Sequence, residues 1–236
     1  MFLKRVKLLR ENDHDSSIFP FSIPAIRQLD ELDLKHPVTF FVGENGSGKS
    51  TLMEAIADIC GFNTAGGGRN NAYEVDASEA HLSSHIRLSW LPKVTNGFFL
   101  RAESFYHFAS HMDQIGSYDA YGGKSLHHQS HGEAFLSLFQ NRFGKKAIYL
   151  LDEPEAALSP QRQLTFLRII HELEKTKEVQ FLIATHSPIL LGYPGAEILH
   201  FSEEGIRAVD YEETEHYQVT KGFLQNREGY LKHLFE

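Results

Sequence analysis

Seven apolar runs of strand length punctuate the chain: FLKRVKLL (2–9), VTFFV (38–42), IRLSWL (86–91), FFLRA (98–102), AIYLL (147–151), VQFLIA (179–184) and EILHF (197–201). Helix-length segments at 50–60 and 161–177 lie between them. Strands that alternate with helices predict a largely parallel sheet covered by helices. The stretches AIYLLD and FLIATH are apolar almost throughout, as strands buried on both faces should be. The first run differs, because lysine and arginine interrupt it in KRVKLLR (4–10). It reads as an edge strand protected by charge, part of an N-terminal antiparallel β portion.

Two stretches break the pattern. GFNTAGGGRNN (61–71) is too rich in glycine and asparagine for a helix or a strand and predicts a solvated loop. Residues 104–132 predict a short helical insert followed by a loop at one end of the sheet. The chain carries no internal repeat and no heptad run, so 1–236 reads as one α/β domain, with a tail from about 205 to 236 that predicts nothing specific.

Composition narrows the partners. A net charge of −8 argues against a surface built mainly to hold nucleic acid, leaving 4–10 as the best basic strip. The single cysteine, Cys60, excludes an internal disulfide and suits a reducing compartment. No run approaches the ~20 apolar residues of a membrane span. The N-terminal segment lacks the apolar stretch and cleavage site of a secretory signal, so the expected location is cytoplasmic. Fourteen histidines, with HHQSH at 127–131, raise the question of zinc; with no cysteine nearby to complete a four-ligand set, that segment reads as a polar loop.

The chemistry concentrates in three places. GENGSGKST (43–51) fits G-x-x-x-x-G-K-[ST] through Gly43, Gly48, Lys49 and Ser50, with a strand before it and a helix after it. Backbone N–H groups from Gly43, Glu44, Asn45, Gly46, Ser47, Gly48, Lys49, Ser50 and Thr51 at a helix N-terminus form a phosphate cradle. Lys49 would reach the terminal phosphates and the Ser50 hydroxyl would hold Mg²⁺. The second place is AIYLLDEPE, where a buried strand delivers Asp152 and Glu153 to the carboxyl edge beside that loop. Asp152 is a Mg²⁺ ligand candidate, and Glu153 is free to polarise an attacking water. The third is FLIATHSP, which places His186 at a strand end, where an imidazole can donate to the terminal phosphate of ATP.

In this order and spacing, the phosphate loop, LLDEP and ATHSP resemble the ABC-type ATPases. The family's serine-glycine signature corresponds to QSHGEAFLSLF, with Ser130 and Gly132 matching and His131 and Glu133 departing. The resemblance implies a P-loop NTPase fold of the ABC type and a Mg²⁺-dependent ATPase. It also implies a two-fold homodimer in which Ser130 and Gly132 close on ATP held by the opposite subunit. The glutamine that the family places before its helical insert is replaced by Glu103, a further Mg²⁺ candidate; Ser159 stands where transporter subunits carry aspartate, and Phe19 or Phe21 occupies the region of the adenine-stacking aromatic.

DEPEAALSP and ATHSPILL look closer to the soluble branch of the class, which includes RecF, the SMC-type repair ATPases and the overcoming-lysogeny ATPases. Only 80 residues separate Lys49 from Ser130, too few for SMC arms. The expected function is an ATPase that dimerises on ATP and transmits hydrolysis to an unknown protein partner. A membrane transporter's ATP-binding subunit and a DNA-repair-associated ATPase remain as alternatives. A GTPase is disfavoured because there is no NKxD segment to read guanine.

Overall fold

A computed structural model describes residues 1–9, 15–63, 81–101 and 146–236. In chain order its elements are β1 (Leu3–Leu8), α1 (Pro24–Arg27), β2 (Glu31–Asp33), β3 (Val38–Val42), α2 (Lys49–Cys60), β4 (Ile86–Trp90), β5 (Asn96–Arg101), β6 (Ala147–Asp152), α3 (Pro160–Lys175), β7 (Val179–Ala184), α4 (Pro188–Leu191), β8 (Glu197–Ser202), β9 (Gly205–Ala208), α5 (Glu215–Gln225) and α6 (Arg227–Phe235). All seven predicted strands form. The glycine-rich stretch from residue 64 onward, the 104–132 insert and the His-rich segment at 127–131 lie outside the described residues.

The main sheet has the order β5-β6-β7-β3-β8-β9; its first five strands run parallel and β9 returns antiparallel to β8. Every residue of β3, β6 and β7 is buried. Alternate side chains supply two cores. Phe41, Ile148, Leu150 and Leu182 face α2 and the N-terminal sheet, whereas Phe40, Tyr149, Phe181 and Ile183 pack with Phe166 and Ile170 of α3. Burying a side chain of this size is worth ~1.5–3 kcal/mol, so a sheet covered on both faces is held chiefly by these layers.

The N-terminal sheet is antiparallel in the order β2-β1-β4, which corrects the edge-strand expectation for residues 4–10. β1 is the central strand. Arg5 and Lys7 project from it to pair with Glu31 and Asp33 of β2, so their charge answers a neighbouring strand. The two sheets are fastened through Gln180, the one polar residue of β7. Its side-chain oxygen accepts from the N–H groups of Phe2 and Leu3, both at 2.8 Å, and its amide donates to Leu3 O at 2.9 Å.

The loop predicted at 61–71 begins differently from that expectation. Gly61 adopts the left-handed conformation that ends α2, and Phe62 is buried in the first core.

Candidate functional site

The phosphate-loop motif bridges β3 and α2, and the packing explains its glycines. Gly43 has φ +142°, and a Cβ there would lie 2.4 Å from Phe201 O of β8. Gly48 caps α2 at φ +100°, with room for a Cβ only at 3.1 Å from Ile23 and Ile26. The loop is thus pressed between β8 and α1. Lys49 is buried and donates to Gly43 O at 2.7 Å and Glu44 O at 2.8 Å. Burial lowers its pKa, and Glu153, Asp152 and Glu155 oppose that shift.

β6 ends at Asp152, two strands away from β3. The Ser50 hydroxyl donates to Asp152 Oδ1 at 3.2 Å, so the two residues predicted to hold Mg²⁺ are brought together. Asp152 is buried, and desolvation pushes its carboxyl up to about 6, while Arg101 and the Ser50 hydrogen bond pull it down. Arg101 ends β5 directly opposite Asp152, with Nε 3.5 Å from Asp152 Oδ2 and Nη1 donating to Glu54 Oε1 at 2.6 Å. One buried carboxylate and one hydroxyl fit Mg²⁺, which keeps several waters and takes few protein ligands. No cluster of three His, Cys, Asp or Glu side chains suited to a metal occurs among the described residues.

Glu153 follows in the left-handed conformation, φ 51° and ψ 50°, and its N–H is fixed by Ala184 O at 2.9 Å. A β-carbon in that region costs ~1–2 kcal/mol. That strain turns the chain out of β6 into a short 3-10 turn, Pro154–Ala157, and leaves the Glu153 carboxylate partly exposed at the sheet edge.

His186, two residues beyond β7, sits with Nε2 3.6 Å from Glu153 Oε1. Its backbone N–H donates to Glu155 Oε1 at 2.6 Å, and its Nδ1 lies 2.9 Å from His216 Nε2. Glu155 is pushed up by burial, against hydrogen bonds from His186 and Thr185. Three buried polar side-chain atoms have no hydrogen-bond partner among the described residues: Ser47 Oγ, Glu155 Oε2 and His186 Nε2. All belong to segments that meet at the carboxyl ends of the parallel strands, where such sheets bind ligands.

On the other flank of the loop a cavity of about 620 Å³ is bounded by Glu44–Ser47, Ala25 of α1, the β8–β9 turn, Arg207 and Glu215. Phe21 is core, edge-on to His85, whereas Phe19 is half exposed. Ser159 precedes α3 without a side-chain capping bond.

The structure therefore juxtaposes Lys49, Ser50, Asp152, Glu153 and His186. Glu103, Ser130 and Gly132 lie outside the described residues. Arg101, Glu155 and His216 were missed. Arg101 ends a predicted strand and Glu155 belongs to the quoted DEPE, so strand-end position could have marked both; His216 lies in a tail with no motif.

Residues 20–105 match the family described as "AAA domain", and residues 134–192 match "AAA domain, putative AbiEii toxin, Type IV TA system". Among curated proteins the chain is similar to the xylose import ATP-binding protein XylG of Moorella thermoacetica, 26% identical over 187 residues, covering 69% of this chain and 37% of that one. It is also similar to the probable branched-chain amino acid transport ATP-binding protein LivF of Archaeoglobus fulgidus, 28% identical over 155 residues, covering 58% of this chain and 64% of that one. The chain thus matches only part of each relative's length. Among solved structures the fold resembles CbiO1 from Clostridium perfringens, part of the transporter complex CbiONQ, with TM-score 0.51, 19% identity and 98% of both chains covered. An ATP-binding cassette of an ABC transporter gives TM-score 0.50 at 18% identity, covering 90% of this chain and 93% of that one. No described helix is long and apolar enough to cross a membrane.

Proposed function

We propose that this chain, a P-loop ATP hydrolase of the ABC type, works as one cytoplasmic ATPase unit that closes into a homodimer on ATP and opens after hydrolysis to move a protein partner. The observation that carries this reading is the convergence of Ser50 with Asp152 at 3.2 Å and of Glu153 with His186 at 3.6 Å beside the loop that buries Lys49.

In this reading the triphosphate lies over the loop, with its terminal phosphate toward β6 and β7 and the nucleoside toward the cavity beside β8. The loop N–H groups and the N-terminus of α2 bind the phosphate oxygens, and Lys49 leaves Gly43 O and Glu44 O to compensate their charge. Ser50 and Asp152 would hold Mg²⁺, with Glu103, two residues beyond Arg101, as a further candidate ligand, and the bound ion would neutralise charge that develops on the phosphates. Glu153 accepts a proton from the attacking water in this reading, a role worth roughly 10²–10⁴ in rate. His186, through Nε2–H, donates to the terminal phosphate and registers its loss. Ser130 and Gly132 complete the site from the second subunit.

The test uses Glu153→Gln, which keeps the shape of the site and removes the base. It should bind ATP with a thermal shift equal to wild type, show no turnover, and run on a sizing column as a dimer with ATP and Mg²⁺ and as a monomer without them. Wild-type turnover would reject Glu153 as the base, and a strict monomer with ATP bound would reject the sandwich.

A second reading, the ATP-binding subunit of a membrane transporter, is favoured by the transport roles in the names of both curated relatives. Co-purification of Glu153→Gln with a polytopic membrane protein would select it. A soluble partner would select the first reading, and duplex DNA that stimulates turnover with steep salt dependence would select a repair role.

A further inference from the structure

Helix α5, the last helix but one, contributes an imidazole to the site that the phosphate-loop, Asp-Glu and His186 segments do not account for. His216 is the second residue of α5 and sits half-buried, its ring centroid 5.1 Å from that of His186. The approach is held on both sides. Thr214 caps α5 by accepting from Tyr217 N–H, and its hydroxyl donates to Tyr211 O at 2.7 Å. The Tyr211 hydroxyl in turn donates at 2.8 Å to the carbonyl of Pro188, two residues after His186. The segment that carries one histidine is thereby tied to the segment that carries the other.

Proton placement follows from the atoms that face each other. His186 Nε2 makes no hydrogen bond, but its nearest charged neighbour is a carboxylate oxygen of Glu153 at 3.6 Å, beside which an N–H is favoured over a lone pair. A neutral His186 must then present a lone pair at Nδ1, and the atom 2.9 Å from it, His216 Nε2, must be the donor. Left to itself a neutral imidazole divides between two tautomers, and only one of them can donate through Nε2.

We propose that His216 is the positioning residue for His186: its Nε2–H holds the His186 ring in the Nε2–H tautomer, aimed at Glu153 and at the terminal phosphate. This rests on the reading of His186 given above. It makes α5 part of the hydrolytic machinery, acting through His186. The lowered pKa of His216, which follows first from burial and then from the adjacent His186, keeps it neutral and able to take the required form at neutral pH.

The test compares His216→Ala, His216→Gln, His186→Ala and the double alanine variant, each in the full chain. His216→Ala should lower kcat about tenfold with KM for ATP changed less than twofold, because an interaction used after binding is weakened. His216→Gln places an amide N–H near the position of Nε2 and should recover most of kcat. The loss in His216→Ala should disappear in a His186→Ala background, since the effect runs through that ring. Nitrogen-15 NMR of labelled histidines, without nucleotide, should find His186 as the Nε2–H tautomer in wild type and His216→Gln and as a mixture in His216→Ala. Wild-type turnover in His186→Ala would overturn the reading of His186 itself. An impaired His186→Ala beside an unimpaired His216→Ala, a glutamine variant as poor as alanine, or an Nδ1–H tautomer in the wild-type protein would overturn the positioning role alone.

Discussion

Asp152 is the residue where folding and chemistry conflict most directly. Its carboxyl is buried and pushed up to about 6 by desolvation. A carboxyl whose folded pKa lies above its unfolded value favours the fold while it is protonated. Its contribution is complete below pH ~4, shrinks as the pH rises, and is gone above about 6. The protein free of nucleotide and metal should therefore lose ~2–3 kcal/mol from this group between pH 4 and 7, whereas Asp152→Asn should not. Urea unfolding of both proteins across that range measures the difference, and parallel curves would place the titration elsewhere. The asparagine variant should be the more stable protein at pH 7 and inactive as an ATPase, the usual exchange at a site built for charge. Asp152 and Lys49 were legible because their motifs place them at the carboxyl edge. The pairing of Arg101 with Asp152 was not, because a salt bridge across adjacent parallel strands depends on the register of β5 against β6, which no local pattern encodes.

At the scale of elements, β7 shows how a single polar residue can join two sheets. Gln180 is fully buried, yet its amide serves three backbone groups at the start of the chain. Gln180→Leu would match its neighbours in hydropathy and still leave Phe2 N–H, Leu3 N–H and Leu3 O unpaired. A loss of ~2–4 kcal/mol is expected, since each stranded group costs ~1–3 kcal/mol and some can relax toward water. Calorimetric unfolding checks it; a variant as stable as wild type would mean that β1 is held by its pairing with β2 and β4 alone. The strand itself was plain from VQFLIA. That its glutamine was a fastener could not be read, because the partner lies 177 residues away and nothing in the local sequence points to it.

For the whole molecule, the sharpest expectation concerns the composite site, and it rests on Ser130 acting across a two-fold axis. Lys49→Ala and Ser130→Arg should each be inactive as homodimers. In a mixed dimer both lesions fall in one site and the other site is whole. Random pairing makes about half the dimers mixed, so a one-to-one mixture should recover roughly a quarter of wild-type turnover if the sites act independently. Steady-state hydrolysis across mixing ratios reads this out. If both variants fold and associate yet show no gain at any ratio, the assignment of Ser130 fails and a monomeric phosphate-loop enzyme becomes the better reading.

The sequence by itself determined seven of the strands, the two long helices among them, the parallel character of the sheet and the three strand-end motifs, because hydrophobic period and glycine placement are local properties that reflect burial and backbone freedom directly. Only the tertiary structure decided that β1 is a central strand, that Arg101 pairs with Asp152 and Glu54, and that a histidine from an unmarked tail meets His186. Each of these is a contact between segments distant along the chain. Packing sets such contacts, and a side chain's own neighbours in sequence carry no trace of the partner that the fold will bring to it.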